Sequence, residues 1–342
     1  MKAQILRHIG SLDTRASPLD FADAPDPIPA PGEVLIRVSA CGVCHTELDE
    51  IEGRTPPPTL PIILGHQVVG HIVHCGPRPS AFRPGARVGV GWIFQACGHC
   101  GFCASGRENL CPEFRATGRD ADGGYAELMV VSQAFAYPIP DGFSDAEAAP
   151  LLCAGAIGYR ALRLAGLRNG GRLGLTGFGA SAHLVMKLVR YRDPDAEVFV
   201  FARSEAERAF ARELGAVWAG DTLDTSPVPL DAIIDTTPVW RPVVEALRNL
   251  APGGRLVINA IRKEDADKGA LAAIDYPAHL WMEKEIKSVA NVTRRDVTEF
   301  LHAAAAMGLR PEVQEYPLSE ANQALRDLKS RAVRGAKVLR VT

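Results

Sequence analysis

Charge of one sign is what this sequence most plainly lacks. Its 38 Lys and Arg stand against 40 Asp and Glu, for a formal net charge of -2. No strongly basic face is expected, so neither nucleic acid nor an anionic membrane is a predicted partner. Long apolar runs are missing too. Met1 to Gly10 has no apolar core long enough for a signal peptide, and no later segment reaches transmembrane length without charges or turn residues. A cytoplasmic location is the expectation. The eight cysteines do not read as a secreted disulfide framework, which belongs mostly to short chains with small cores, whereas this chain has 342 residues, 47% of them hydrophobic. That length suggests two domains.

Four of the cysteines crowd into one stretch. Cys97, Cys100, Cys103 and Cys111 are separated by two, two and seven residues, spacings that let successive sulfurs turn back onto one point, with Gly98, Gly101 and Gly106 relieving the backbone. Four thiolates fill a zinc tetrahedron and leave no position for substrate, so the lobe over residues 95–113 reads as a closed structural zinc site. An iron–sulfur cluster uses the same ligands but belongs with electron-transfer machinery for which nothing else here argues.

The first third of the chain has strand-like alternation at Lys2 to Arg7 and Glu33 to Ala40, separated by the proline-rich run from Pro25 to Pro31. The segment Cys41 to Asp49 ends the second strand, with a helical turn predicted there and Cys44, His45 and Thr46 side by side. By themselves they read more readily as structural than as catalytic. Gly65-His66-Gln67 then puts an imidazole between a glycine and an apolar strand, within possible reach of Cys44.

From about Ala154 strand and helix alternate, the signature of a doubly wound parallel sheet. Arg172 to Thr176 reads as its first strand. It enters Gly177-Phe178-Gly179-Ala180-Ser181-Ala182, a G-x-G-x-x-A turn, and then a helix over His183 to Arg190. Gly177 permits the tight turn, Gly179 admits a pyrophosphate close to the backbone, and Ala182 allows close packing. Further units are predicted at Glu197 to Phe201 with Ser204 to Leu214, at Asp231 to Asp235 with Arg241 to Leu250, and at Arg255 to Ala260. At the end of the second strand, where NAD enzymes usually carry an acidic residue, stands Ala202-Arg203-Ser204; Asp195 lies at the wrong end of the sheet. Arg203 and Ser204 offer charge-assisted hydrogen bonds to a 2'-phosphate, which favours NADP. The plainer reading, a solvated Arg203 with NAD also possible, stays open.

Cys44-His45-Thr46, Gly65-His66, the four-cysteine lobe, Leu152-Cys153-Ala154-Gly155 and the glycine turn occur together in the order of the zinc-dependent medium-chain alcohol dehydrogenases. The chain resembles that family over essentially its whole length, and within it the bacterial primary-alcohol (propanol-preferring) dehydrogenases. The resemblance implies a mostly β, GroES-like catalytic domain over 1–152 and 290–342, a Rossmann domain over 153–289, and an active site in the cleft between them. It implies that Cys44, His66 and Cys153 hold a second, catalytic zinc, whose open fourth position suits a Lewis acid. It makes Thr46 the first acceptor of the alcohol proton, with a helix N-cap as the compatible plainer role, and puts His45 near the cofactor pyrophosphate. Glu47 is expected to accept the free ring N–H of His66.

Four places depart from the family. Glu47 replaces a usual aspartate, Gln67 replaces a frequent acidic residue, Asp49 replaces a relay histidine, and Gly335-Ala336 replaces a Gly-Arg pair, for which Arg334 or Lys337 could substitute. Trp92 and Ile51 are expected to wall the substrate pocket, favouring small or medium primary alcohols and their aldehydes. Cys41 and Cys75 remain as buried small side chains. Helices over Val297 to Met307 and Leu318 to Leu328 and a strand over Lys337 to Val341 are predicted to rejoin the first domain. A homodimer or homotetramer is implied. A quinone or enoyl reductase usually lacks the Cys44, His66 and Cys153 set; a nucleotide-sensing zinc protein without turnover is the non-enzyme alternative.

Overall fold

Val34, Ile36 and Val38 alternate along one strand and are all fully buried. That period-2 pattern puts them on one face of Glu33–Val43, the strand around which the larger sheet of the first unit forms. The computed structural model describes residues 1–78, 80–330 and 335–342, apart from the side chain of Ala180. Arg334 lies outside the described residues. The chain divides into two units, Met1–Cys153 with Val292–Thr342, and Ala154–Asn291.

In the first unit, a sheet of seven described strands runs in the order Ala136–Pro138, Arg87–Val90, Val68–Cys75, Glu33–Val43, Ala336–Arg340 and Val313–Pro317, with Leu128–Ser132 also paired to Glu33–Val43. Lys2–Leu6 pairs with Leu19–Asp23 and with Ile62–Ile63 in a smaller sheet. The long strand continues three residues past Ala40. The cause is tertiary: the chain's last strand pairs with it, Lys337 opposite Val43 and Leu339 opposite Cys41. Lys337 is thereby buried, its Nζ donating to the Gly335 carbonyl at 3.3 Å.

The helix predicted from Val297 spans Arg294–Ala306. Thr293 caps it, with its Oγ1 accepting from the Asp296 amide at 3.3 Å and Asp296 Oδ2 accepting from the Thr293 amide at 2.8 Å, an arrangement that typically contributes about 1 kcal/mol. The segment predicted as a helix from Leu318 splits into a 3-10 turn at Leu318–Glu320 and a helix over Ala321–Ser330. Leu325 and Ala324 face the core there.

The second unit is a six-stranded, wholly parallel sheet among the described residues. Its order is Trp218–Gly220, Glu197–Phe201, Arg172–Thr176, Leu230–Asp235, Leu250–Ile258, Glu285–Ser288. Its inner strands Glu197–Phe201, Arg172–Thr176 and Leu230–Asp235 are near-continuous buried runs, as burial on both faces demands. Phe199, Phe201, Ile233, Leu247 and Leu256 form a core there. The helix expected to reach Leu250 stops at Arg248, and the following strand starts at Leu250 rather than Arg255. Pro252, Gly253 and Gly254 lie inside that strand as an irregularity, the pairing moving from Leu230 with Leu250 to Ala232 with Arg255. Read locally, Pro-Gly-Gly is a break; the parallel neighbour carries the strand across it. Among the described residues no helix is long and apolar enough to cross a membrane.

Candidate metal centres and dinucleotide turn

Two neighbouring antiparallel strands bring the first constellation together. Cys41 pairs with Val68, so the chain leaving one strand toward Cys44 and the chain entering the other from His66 meet at the same end of the sheet. The Gly42 amide donates to the Gln67 carbonyl at 2.9 Å and fastens the two. Gly65 (φ +99°) makes the approach possible, since a Cβ there would lie 2.4 Å from the Tyr125 ring. Cys153 arrives from a buried 3-10 turn, Ala149–Leu152. Its Sγ is 3.4 Å from His66 Nε2, and the Cys44, His66 and Cys153 donor atoms lie within 4.8 Å of one another. Cys153 belongs to the first unit, not to the start of the second where the sequence reading put it, because the turn that delivers it is packed among first-unit strands.

Glu47 joins two parts of this site. Cys44 is the N-cap of the helix His45–Ile51, so the cap role considered for Thr46 falls to it instead. Glu47 Oε2 accepts from the Cys44 amide at 2.8 Å, while Oε1 lies 2.6 Å from His66 Nδ1. One fully buried carboxylate thus sets both the backbone of one donor and the ring of another. Burial disfavours a charged His66, but Glu47 and Cys44 outweigh it and hold the imidazole well above its usual range. Contact with Cys153, against burial and aided by His66, holds Cys44 well below the usual thiol range. The same contact together with burial pushes Cys153 well above it.

The other expected site residues divide. Thr46 is buried, its Oγ1 3.6 Å from Cys44 Sγ. Trp92 meets His66 edge to face, with ring centroids 4.9 Å apart and planes at 89°. His45 is exposed on the first helical turn. Ile51, by contrast, is fully buried in the apolar core, so it presents no surface to a substrate. Asp49 is also buried and paired with Arg54 Nε at 2.5 Å, which ties the carboxylate to the far end of its helix. Glu50 was not foreseen. Both of its oxygens are buried without a hydrogen-bond partner among the described residues. Burial, then the charge of Glu47, pushes its carboxyl well above the usual range.

The second constellation is local. Cys97, Cys100, Cys103 and Cys111 also gather within 4.8 Å. The amides of Cys100 and Cys97 donate to the sulfurs of Cys97 at 3.4 Å and Cys111 at 3.5 Å. Such N–H donors favour thiolates. Among the four, a backbone bond at Cys103 leads in lowering Cys100 to about 7, while burial pushes Cys103 up to about 12. Glu108, between the third and fourth cysteines, accepts from the Arg294 amide at 2.7 Å and binds the lobe to the helix Arg294–Ala306. Both donor sets suit zinc: four soft ligands in one, and two sulfurs with one imidazole in the other.

In the second unit the glycine turn has the predicted context. Gly177 has φ +75°. Gly179 is the N-cap of the helix Ala180–Arg192, with no side chain capping it and open space where a Cβ would stand. An anionic diphosphate fits such a helix start. Ala182 is fully buried. Arg203 is exposed, and Ser204 is the N-cap of the helix Glu205–Glu213 without using its hydroxyl as a cap. A carboxylate does stand nearby, on the adjacent strand end: Asp221 Oδ2 lies 3.3 Å from Arg208 Nη1, which also donates to the Ala202 carbonyl at 2.6 Å. Asp195 instead bonds Asn169 before its strand begins.

Fold and site together define a protein with two clusters of cysteine and histidine that could hold metal ions in one unit and a glycine turn of the dinucleotide-binding pattern in the other. Residues 30–141 match the alcohol dehydrogenase GroES-like domain, and residues 216–339 match the zinc-binding dehydrogenase family. The chain is 44% identical over 344 residues to the probable alcohol dehydrogenase AdhA of Mycobacterium tuberculosis (strain CDC 1551 / Oshkosh), covering 99% of this chain and 97% of that protein. An alcohol dehydrogenase of Geobacillus stearothermophilus is 31% identical, with 91% and 92% covered. The crystal structure of an NAD-dependent alcohol dehydrogenase superposes with a TM-score of 0.86 at 25% identity, covering all of both chains. This chain belongs to the zinc-dependent medium-chain alcohol dehydrogenase family, and its two units are the GroES-like and Rossmann domains of that fold.

Proposed function

We propose that the protein is an alcohol dehydrogenase and aldehyde reductase that moves hydride between small or medium primary alcohols and NADP(H). The observation that carries this reading is the convergence of Cys44, His66 and Cys153, with Glu47 behind the imidazole. These three would hold a catalytic zinc and the four-cysteine lobe a structural one; the catalytic ion supplies Lewis acidity toward the substrate oxygen. Thr46 takes the alcohol proton at its buried hydroxyl. With Asp49 occupied by Arg54, that proton passes to water. Bound NADP+ would supply the hydride acceptor, so that alcohol and NADP+ would become aldehyde, NADPH and a proton. Gly177, Gly179 and Ala182 would seat the pyrophosphate, and Arg203 and Ser204 would take the 2'-phosphate. Trp92, packed on His66, narrows the pocket toward small or medium primary alcohols over bulky secondary ones.

The test is the initial rate of NADPH and of NADH oxidation with a panel of aldehydes, before and after chelator treatment. Chelator-sensitive turnover preferring NADPH is expected. A preference for NADH would overturn the Arg203 assignment alone. No turnover with either, despite two zinc ions per chain, would favour a nucleotide-binding zinc protein. A homodimer or homotetramer is part of the same proposal. It is supported by the edge strand Glu285–Ser288, exposed along its length with Ile286 on it and Trp281 and Met282 just before. A monomer in light scattering would remove it.

A further inference from the structure

Asp235 ends its strand fully buried, and an isolated carboxylate there would be costly. It is instead the centre of a network. Its Oδ1 accepts from Thr176 Oγ1 at 2.6 Å and Thr237 Oγ1 at 2.8 Å, and its Oδ2 receives Lys263 Nζ. Lys263 is itself buried to 7% side-chain exposure. Its ammonium spends its other two N–H groups on the carbonyls of Thr237 at 2.7 Å and Val239 at 3.0 Å, so every donor is used. Each end of the pair belongs to a different loop. Residues 236–240 leave the strand Leu230–Asp235, and residues 259–263 leave its parallel neighbour, Leu250–Ile258.

The network continues to the glycine turn. Thr236 donates its amide and hydroxyl to the Thr176 carbonyl at 3.0 and 2.9 Å, and the Asn259 amide donates to the Asp235 carbonyl at 2.8 Å. A Cβ on Gly177 would lie 2.9 Å from Thr236 Oγ1 and 3.1 Å from Thr237 Cγ2. The clamped loop therefore packs directly on the first residue of the turn. All of this lies at the carboxyl ends of the strands, where open parallel sheets bind their ligands. A buried ion pair is a weak source of stability compared with an apolar pair of the same volume, but it fixes a loop in one register through directional bonds. From this we infer that Lys263, acting through Asp235 and the carbonyls of Thr237 and Val239, is a positioning residue that sets the floor of the dinucleotide site. The inference rests on the dinucleotide reading above.

The experiment is titration calorimetry of NADPH and NADH on the zinc-replete wild type and on Lys263→Met, Lys263→Arg and Thr237→Val, each well below its own melting temperature. Lys263→Met is expected to weaken dinucleotide binding about tenfold or more, the scale of losing bonds to a charged group. In kinetics its cofactor KM should rise by more than its kcat falls. Lys263→Arg should recover part of the loss, and both zinc ions should remain. If Lys263→Met does not fold, Thr237→Val, which keeps shape and removes one bond to Asp235, should weaken binding about threefold. Dinucleotide affinity within twofold of wild type in the folded variants would overturn the inference and leave the dehydrogenase reading standing. A wild type that binds neither dinucleotide would overturn both.

Discussion

The two thiolate clusters solve one chemical problem in opposite ways. The four-cysteine lobe takes all its donors from fifteen consecutive residues, Cys97 to Cys111, and holds them with its own amides. The Cys44, His66 and Cys153 set draws on positions up to 109 residues apart in sequence number and depends on strand pairing, a positive-φ glycine and a 3-10 turn to close. A local cluster is cheap to assemble and well suited to a closed structural site. A set gathered from three elements can leave one direction open, and each donor answers to the packing of a different part of the unit.

The sharpest way to break this comparison is Cys153→Ser. Turnover is expected to fall by about a thousandfold or more, with one zinc per chain remaining and little change in melting temperature. Normal turnover would remove Cys153 from the donor set. Glu47→Gln should cost about 10- to 100-fold in activity or metal affinity, since it disturbs the His66 ring and the Cys44 amide together; zinc titration and turnover measure it, and an unchanged enzyme would show that the 2.6 Å contact is incidental. Cys103→Ser attacks the local cluster instead. It should lower the melting temperature by about 5 °C or more while chemistry at low temperature persists, and an unaltered melting curve would argue against a structural ion.

The smallest effect concerns the other end of the Cys44 helix. Burial works against an ionised Glu52, but Lys329, Arg54 and the Leu12 amide outweigh it and hold its carboxyl at about 2, below the ordinary 4.5. The stability this contributes is fully present above the ordinary value and is lost as pH falls from there toward about 2. Glu52→Gln should therefore melt about 1–3 °C below wild type at pH 7, a gap that narrows below pH 4.5. A gap constant with pH would mean that the Glu52 charge contributes nothing.

Legibility in the sequence follows the same divide. The strands Arg172–Thr176 and Glu197–Phe201 have the bounds that periodicity implied, because each is a short apolar run between turn residues. The extension of Glu33–Val43 to carry Cys41 and Val43 was not legible, because its partner is the chain's last strand, some 300 residues away. Pairing across such a distance leaves no local trace. Trp92 was singled out only by resemblance; its edge contact with His66 is a fact of packing. Ile51 and Asp49 sit on the Cys44 helix, where spacing alone does not tell a pocket side chain from one turned to the core or to Arg54.

By itself the sequence determined what is local: the lobe, because donors two, two and seven residues apart can close on one ion without help, and the glycine turn, because strand, glycines and helix follow one another along the chain. Only the tertiary structure decided what depends on separate segments meeting. It joined Glu47 to His66, gave the cap of the Cys44 helix to Cys44, turned Asp49 to Arg54, and paired Asp235 with Lys263 across two loops. The reason is physical: a side chain's charge and shape are written at its own position, but the partner that satisfies it when buried is set by the register of strands and the packing of turns far along the chain.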